Sequence, residues 1–248
     1  MKHNLSHGAA LSALALALVA GSAHAQVVNG GFNGLAGWNT GGDAASVDSD
    51  RLVLTTASAT YQDDTDAGLT TATRNVSGID PKTAGGGTDS LEAFLGIADN
   101  ALAPDVDNLV VAFEGSAASQ TFTVAAGSRL SFQWDLSTLD QRDPAQADYA
   151  FIVLDGQVIR LADAFAATTT IVGGDYAAHT GWQDYTTTFD AAGSHTLSFG
   201  IVDVGDFNDT SALSVTGVSV SAVPESSTLA LMVAGLAMLA LKRRRRGA

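Results

Sequence analysis

The sequence predicts an all-β fold, an antiparallel β-sandwich, flanked by an N-terminal signal peptide and a single C-terminal transmembrane helix. Between residues 26 and 222, short apolar runs alternate with turn residues, and no long helical period interrupts them. Long apolar runs without charge stand only near the two ends of the chain. The predicted organisation is therefore a leader over residues 1–25, one domain over residues 26–222 and a tail over residues 223–248.

The strands of this domain are predicted from a period of two. From Leu130 to Leu136, apolar residues alternate with polar ones, which gives a strand with one buried face and one polar face. The same alternation is present over residues 121–124 and 197–201. These runs predict three strands of a sandwich.

A hairpin is predicted near the middle of the domain. Residues Tyr149–Leu154 are apolar in every position, as expected for a strand inside a sheet that is buried on both faces. Asp155 and Gly156 have the composition of a two-residue turn, and residues 157–161 follow as the partner strand. Residues 91–97 are the exception to the β pattern and predict one short helix.

The last strand changes its phase. Its apolar residues are odd-numbered up to Val215 and even-numbered from Val218, so one face stays apolar only if an extra residue is inserted. Gly217 lies at this change, and glycine suits a β-bulge. The alternative is that the strand ends at Thr216.

The first 25 residues are typical of a secretory signal peptide. Lys2 gives a weakly positive start, residues 9–20 are apolar, and Ala23 and Ala25 fit the small-x-small cleavage rule. Cleavage would make Gln26 the new N-terminus. A transmembrane helix is the alternative, but these 12 apolar residues fall short of the ~20 that a bilayer needs.

The tail has a Pro-Glu motif, an apolar run over residues 229–241 and a basic cluster. The residues of its two polar ends are Val223, Pro224, Glu225, Arg243, Arg244, Arg245 and Arg246. Counted from Pro224 to Leu241, its 18 residues would form a helix of ~27 Å, enough for a thin membrane span. With an exported N-terminus, the arginines should stay in the cytoplasm, so the tail predicts a stop-transfer segment.

This three-part tail resembles the PEP-CTERM sorting signal, also called the ice-binding protein C-terminal domain. The resemblance covers residues 223–246, and the family's second proline is Ser226 here. It implies a Gram-negative bacterium whose secretion machinery exports the chain and whose exosortase cuts the tail in the inner membrane, near Pro224 and Glu225. The released domain would reach the cell surface or an extracellular matrix of exopolysaccharide and biofilm. Without the cut, the protein would remain a membrane-anchored periplasmic domain.

The ends of the domain are similar to those of galactose-binding-like jelly rolls. The similarity is carried by residues 29–32 (Asn-Gly-Gly-Phe), residues 37–38 (Gly-Trp) and a final strand over residues 213–220. It implies a jelly-roll-like sandwich, a frame that many carbohydrate-binding modules share. Related modules often hold a structural calcium ion between a glutamate and an aspartate, and the matching positions here are the uncharged Asn33 and Thr216.

Acidic side chains supply the candidate metal ligands. Aspartate outnumbers glutamate 23 to 3, and aspartate is common both in turns and in calcium sites. The densest group, Asp203, Asp206, Asn208 and Asp209, could supply several of the six to eight oxygens that calcium takes. A solvated turn is the alternative interpretation of this group.

A sugar-binding surface is predicted from exposed aromatic rings beside polar groups. Trp134 occupies the apolar side of its strand and Trp38 lies beside the N-terminal motif, so packing is the simpler interpretation of both. Trp182 follows Gly181 in a loop-like stretch and, together with Tyr185, is the candidate ligand contact. Packing in the core is the alternative for these two rings.

Composition narrows the possible functions. The chain has no cysteine, which excludes disulfides and thiolate sites, and residues 26–222 hold 6 basic against 25 acidic residues, a formal charge of −19. Such a surface repels phosphate backbones, so no nucleic-acid partner is expected. No zinc-protease, nucleophile-elbow or Walker motif is present. The sequence predicts a non-enzymatic matrix protein; a carbohydrate-binding module stabilised by calcium is the alternative, and an enzyme acting on polysaccharide is less favoured.

Overall fold

The computed structural model describes residues 27–57, 74–75, 90–104, 110–140, 147–172, 175–205 and 209–222, with tail positions 234–236, 238 and 243. Within these residues two antiparallel sheets enclose one apolar core, which confirms the predicted all-β sandwich. The leader and most of the predicted transmembrane helix over residues 229–241 lie outside the described residues. In the part of the tail that is described, as in the domain, no helix is long and apolar enough to cross a membrane.

The strands are β1 (Asn39–Gly41), β2 (Asp43–Val47), β3 (Arg51–Thr55), β4 (Arg74–Asn75), β5 (Ala112–Val124), β6 (Arg129–Thr138), β7 (Tyr149–Leu154), β8 (Gln157–Asp163), β9 (Thr169–Thr170), β10 (Ala178–His179), β11 (Gln183–Thr188), β12 (Gly193–Val204) and β13 (Ser211–Ser221). One α-helix, α1 (Leu91–Leu95), and a 3₁₀ turn at Ala164–Ala166 complete the described elements. The first sheet has the order β1-β5-β12-β7-β8, with β4 also paired to β5. The second sheet has the order β2-β3-β13-β6-β10-β9, with β11 also paired to β6.

The core between the sheets is built from the apolar side chains that alternate with polar ones along each strand. Phe132 of β6 meets Phe199 of β12 edge-on, with ring centroids 4.9 Å apart. Trp38 packs 5.6 Å from Phe199, and Trp38 and Trp134 are only 6% and 8% exposed. Both tryptophans therefore pack in the core, as their sequence positions indicated.

The predicted hairpin and helix are both present. Asp155 and Gly156 have φ values of 52° and 82°, the left-handed pair that a tight two-residue turn requires. β7 lies between β12 and β8, and it is apolar on both faces because Ile152 faces the core between the sheets and Phe151 faces a second apolar cluster on the outer side. Helix α1 begins after Ser90, whose side chain accepts a hydrogen bond from the Ala93 backbone N–H.

The predicted β-bulge is confirmed in β13. Thr216 pairs with Gln133 and Ser219 pairs with Ser131, so two residues of β13 oppose the single residue Phe132 of β6. Gly217 has a φ of +64°, a conformation that other residues rarely adopt. The bulge returns the apolar side chain of Val218 to the core, where it is 5% exposed.

A second apolar cluster covers the outer face of the first sheet. Leu91 and Leu95 of α1 share this cluster with Phe151 of β7 and Val202 of β12. Phe151 is fully buried. The first sheet is therefore buried on both sides in this region.

Candidate functional site

The second sheet has a polar outer face, which we call the open face. Its residues are Arg129, Ser131, Gln133, Asp184, Thr186, Thr188, Thr216 and Ser219. They alternate along β6, β11 and β13 with the core residues of the same strands, such as Phe132 and Trp134. The register sets Asp184 opposite Gln133 and Thr186 opposite Ser131. Cross-strand neighbours on one face lie close enough to bind each other and a shared ligand.

Two side-chain hydrogen bonds organise this face. Gln133 donates from Nε2 to Asp184 Oδ1 at 3.0 Å, and the hydroxyls of Ser131 and Ser219 are also 3.0 Å apart. A carboxylate has about four acceptor positions, so Asp184 keeps acceptor capacity toward solvent. Gln133 and Asp184 are both exposed, and their pairing fixes the position of an amide and a carboxylate beside each other.

A cavity of about 590 Å³ opens on the open face. Its lining residues are Arg129, Ser131, Phe132, Gln133, Asp184, Tyr185, Thr186 and Gly217. Its volume falls in the range of about 300–1,000 Å³ that is usual for sites of small ligands. Apart from chain neighbours, no atom lies within 4 Å of the point where a Cβ on Gly217 would stand. The glycine of the bulge therefore leaves room at this side of the cavity.

Tyr185 lies between Asp184 and Thr186 in β11 and opposite Phe132 of β6, so its ring is on the core side of the sheet. Its ring stacks on Phe132 with centroids 4.8 Å apart and planes 19° from parallel. Burial raises the pKa of the Tyr185 phenol. The ring of Tyr185, one of the two aromatic residues predicted as ligand contacts, therefore packs against the core.

Trp182, the other predicted contact, lies immediately before β11 and is 46% exposed. It is not one of the residues that line the cavity. Trp182 differs in this from the two buried tryptophans, and Phe165, at 40%, is another exposed aromatic ring. The structure thus places Trp182 at the start of the strand that carries Asp184 and Tyr185.

A buried aspartate holds the segment that leads to Trp182. Asp135 Oδ1 accepts a hydrogen bond from the Thr180 hydroxyl, and Asp135 Oδ2 lies 3.0 Å from Nδ1 of His179. The backbone N–H of Leu136 donates to the Thr180 hydroxyl oxygen at 3.0 Å. Sequence reasoning missed this group, because Asp135 and His179 are 44 positions apart and no local sequence pattern connects residues at that distance. The polar phase of β6 was the one available signal, and it marks Asp135 as a non-core side chain.

The predicted calcium ligands are only partly described. Asp203 is the penultimate residue of β12 and is fully buried. Asp209 lies two residues before β13 and has a φ of 62°. Asp206 and Asn208 lie outside the described residues. Among the residues that are described, no group of three or more acidic, histidine or cysteine side chains is arranged to hold a metal ion. The calcium hypothesis for this segment stays a prediction.

The positions matched to the related calcium site have other contacts. Thr216 donates from its hydroxyl to the Asp50 backbone oxygen at 2.6 Å. Asn33 is exposed, and its backbone N–H donates to the side chain of Asn29. Both residues therefore serve the local structure of the chain ends.

The sorting and cleavage residues are not tested by the fold. The predicted cleavage position at Ala25 and Gln26 and the Val223–Glu225 motif lie outside the described residues. Of the arginine cluster, only Arg243 is described, in a helical conformation. Their roles stay predictions.

Comparisons with known proteins identify no family. No protein-family model matches the sequence, and no curated protein matches it. One similar solved structure is the enzymatically active domain of tailspike protein 4 of bacteriophage CBA120, with 12% identity and a TM-score of 0.29. The match covers 81% of the present chain and 22% of the tailspike chain. Another, described as "CBM4 structure and function", has 13% identity and a TM-score of 0.22 and covers 47% of this chain and 86% of its own. At these TM-scores the similarity carries no functional argument.

Proposed function

We propose that this protein is an exported, non-enzymatic polysaccharide-binding protein of the cell surface or of the biofilm matrix. The observation that carries the proposal is the cavity on the open face, where the Gln133–Asp184 pair stands beside the hydroxyl groups of Ser131 and Thr186. Sugars present hydroxyl groups around an apolar ring, so they need donors, acceptors and an apolar wall at one place. The cavity offers donors and acceptors, and the exposed ring of Trp182, two residues before Asp184 in the chain, offers the apolar surface.

Each lining residue has a chemical part in this proposal. Asp184 would accept hydrogen bonds from sugar hydroxyls, and Arg129 and the hydroxyl of Thr186 would donate to sugar oxygens. The rings of Phe132 and Tyr185 stack on each other on the core side of the sheet and hold β6 and β11 together behind the cavity. Trp182, exposed at the start of β11, would extend the surface for a chain longer than one sugar.

The lining supports binding rather than hydrolysis. Glycosidases use two carboxyl groups that flank the scissile bond. Among the described residues that line the cavity, Asp184 is the one carboxylate, and its Oδ1 already accepts from Gln133. This arrangement orients a ligand and lacks the second carboxyl group of the usual reaction.

The two chain ends support the delivery part of the proposal. The signal-peptide pattern ends at Ala25, and the first described residue after it, Val27, is already packed in the core. β13 ends at Ser221, and Pro224, the first residue of the Pro-Glu motif, is three residues later. Both expected processing points thus stand directly beside the folded domain, where cleavage would remove little of it.

Binding is tested with the exopolysaccharide of the producing bacterium, by co-sedimentation and by affinity electrophoresis of the full chain. Trp182→Ala should weaken retention by about fivefold, since an aromatic contact of this kind contributes about 1 kcal/mol. Thr196→Val, on the outer face of the first sheet, is the matched control and should bind as the parent does. Retention that is unchanged by Trp182→Ala would contradict the proposed site.

Delivery is tested by intact mass and C-terminal peptide mapping in each cell fraction of the native host. The proposal expects a surface or secreted form that starts at Gln26 and ends near Pro224. A membrane form that keeps residues 243–246 would support the anchored alternative, in which the domain acts from the periplasmic side. Recovery only in the cytoplasm with both ends intact would overturn the proposed export.

A further inference from the structure

The charge of the cavity differs from the charge of the whole domain. Residues 26–222 carry a formal charge of −19, whereas the cavity is lined by one cation, Arg129, and one anion, Asp184. The other side chains that line it on the open face are the hydroxyl groups of Ser131 and Thr186 and the amide of Gln133. The cavity is therefore close to neutral inside a strongly acidic domain.

This distribution disfavours an anionic polymer as the ligand. A polyanion would approach against the field of the domain, which slows and weakens association. Inside the cavity it would meet the single guanidinium of Arg129, with the carboxylate of Asp184 in the same lining. One cation cannot offset the repeated charges of a polymer that carries a carboxylate on each sugar.

A cationic polymer is disfavoured for a different reason. The acidic surface would attract it at many places, but such attraction is screened by salt and does not depend on one cavity. Within the lining, Arg129 would offset the attraction of a cationic group to Asp184. Attraction of this kind would therefore not select the open face.

The polar groups of the cavity fit uncharged hydroxyl groups. Gln133 uses one N–H on Asp184 Oδ1 and keeps a second N–H and its carbonyl oxygen. Asp184 keeps acceptor positions on its second oxygen, and Ser131 and Thr186 add hydroxyls nearby. A pair of neighbouring sugar hydroxyls could thus donate to one of these groups and accept from another.

We propose that the cavity selects an uncharged, hydroxyl-rich polysaccharide and that the Gln133–Asp184 pair determines this specificity. The inference rests on the proposed function, because it names the ligand class of the same site. The salt dependence follows from it: a ligand without charge releases no counterions, so its binding changes little between low and high salt.

The experiment measures retardation of the full chain in native gels that contain one polymer at a time. The probes are dextran, mannan and galactan as neutral polymers, alginate as the polyanion and chitosan as the polycation, each at 50 and 500 mM salt. We expect retention by at least one neutral polymer, changed less than about twofold by salt. Gln133→Ala and Asp184→Ala should each weaken this retention by about tenfold, as for a lost hydrogen bond to a charged group.

Two further variants separate charge from hydrogen bonding. Asp184→Asn keeps an oxygen that can accept from Gln133, so for a neutral ligand it should weaken retention less than Asp184→Ala does. Thr196→Val lies on the other sheet, pairs through its hydroxyl with Thr121 at 2.8 Å in the parent, and should leave retention unchanged. Unfolding midpoints of all variants check that they remain folded.

The outcomes distinguish the inference from the proposed function. Retention by alginate or chitosan alone, or neutral retention that ignores both alanine variants, would overturn the inference while leaving polysaccharide binding in place. No retention by any of the five polymers or by the native exopolysaccharide would overturn the proposed function, and the inference with it.

Discussion

The outer faces of the two sheets differ in what lies over them. On the first sheet, α1 and the residues after it place leucines against β7 and β12, and together they form a second apolar cluster. On the second sheet, β6, β11 and β13 turn polar side chains outward and enclose a cavity. The sequence reflects the difference, since β7 is apolar on both faces whereas β6 alternates strictly.

This difference separates stability from binding. The covered face removes apolar surface from water and therefore contributes to the free energy of unfolding. The open face buries little, so its side chains are free to meet a ligand. Substitutions on the covered face should change stability, and substitutions on the open face should change binding. The following predictions are ordered from the largest expected effect to the smallest.

Phe151→Ala should have the largest effect. Phe151 is fully buried in the covered face, with its ring 5.7 Å from that of Tyr149. Its truncation should lower the free energy of unfolding by about 3–5 kcal/mol, because it removes buried surface and leaves a cavity. Urea unfolding measures the change, and Ser131→Ala on the open face, expected within about 0.5 kcal/mol of the parent, is the control. Equal effects of the two substitutions would contradict the comparison.

Tyr149→Phe should lower stability and also alter its pH dependence. The Tyr149 hydroxyl donates to the Leu102 backbone oxygen, and its loss should cost about 1–3 kcal/mol at neutral pH. Burial raises the pKa of Tyr149 well above its usual value, although the guanidinium of Arg160 over its ring acts in the opposite direction.

The sign of the pH effect follows from that raised pKa. Because the folded state holds the proton more tightly, this contribution is complete below the unfolded tyrosine pKa of about 10 and is lost as the pH rises above it. Unfolding measured from pH 8 to 11 should therefore show a smaller alkaline loss in Tyr149→Phe than in the parent. Tyr185→Phe, at a less buried phenol, should reduce the alkaline loss less. The same alkaline loss in the parent and in Tyr149→Phe would contradict the assignment.

Gly217→Ala tests the bulge that borders the cavity. The φ of +64° at this position is unfavourable for alanine, so the substitution should cost about 1–2 kcal/mol. There is space for the methyl group, so the cost should come from the backbone alone. Calorimetry measures the stability change, and Gly34→Ala, also at positive φ with open space around it, is the matched control outside the cavity. Polysaccharide binding should fall in the first variant only.

Ser90→Ala should have the smallest effect, about 1 kcal/mol, through loss of the N-cap of α1. Ser90→Asp keeps a capping oxygen and should restore most of the stability. Chemical unfolding of the two variants measures the difference. If both behaved alike, the cap would not contribute to holding α1 on the covered face.

Much of the fold could be predicted from local patterns. The alternation in β6, the two turn residues after β7 and the change of phase at Gly217 each involve neighbours in sequence. The two-residue strands β9 and β10 could not be predicted, because two residues have no period. The sheet to which each strand belongs also depends on pairings between distant segments.

The candidate site shows the same limit. Tyr185 and Trp182 could be singled out because aromatic residues are few and Trp182 follows a glycine. The Gln133–Asp184 pair could not, since it depends on the register between β6 and β11, 51 residues apart. The bulge was visible in sequence, but its place beside a cavity follows only from the pairing of β13 with β6.

The pairing of β13 with β6 also fixes where the C-terminal tail leaves the domain. Ser221, the last residue of β13, lies opposite Arg129, so the chain leaves the sandwich beside the cavity. Only the seven residues 222–228 separate this exit from the predicted apolar run, and a fully extended linker of that length would span ~24 Å. An uncut tail would hold the cavity in a thin layer next to the bilayer, where it samples only polymer at that depth. Cleavage would turn this two-dimensional search into a three-dimensional one through the whole matrix.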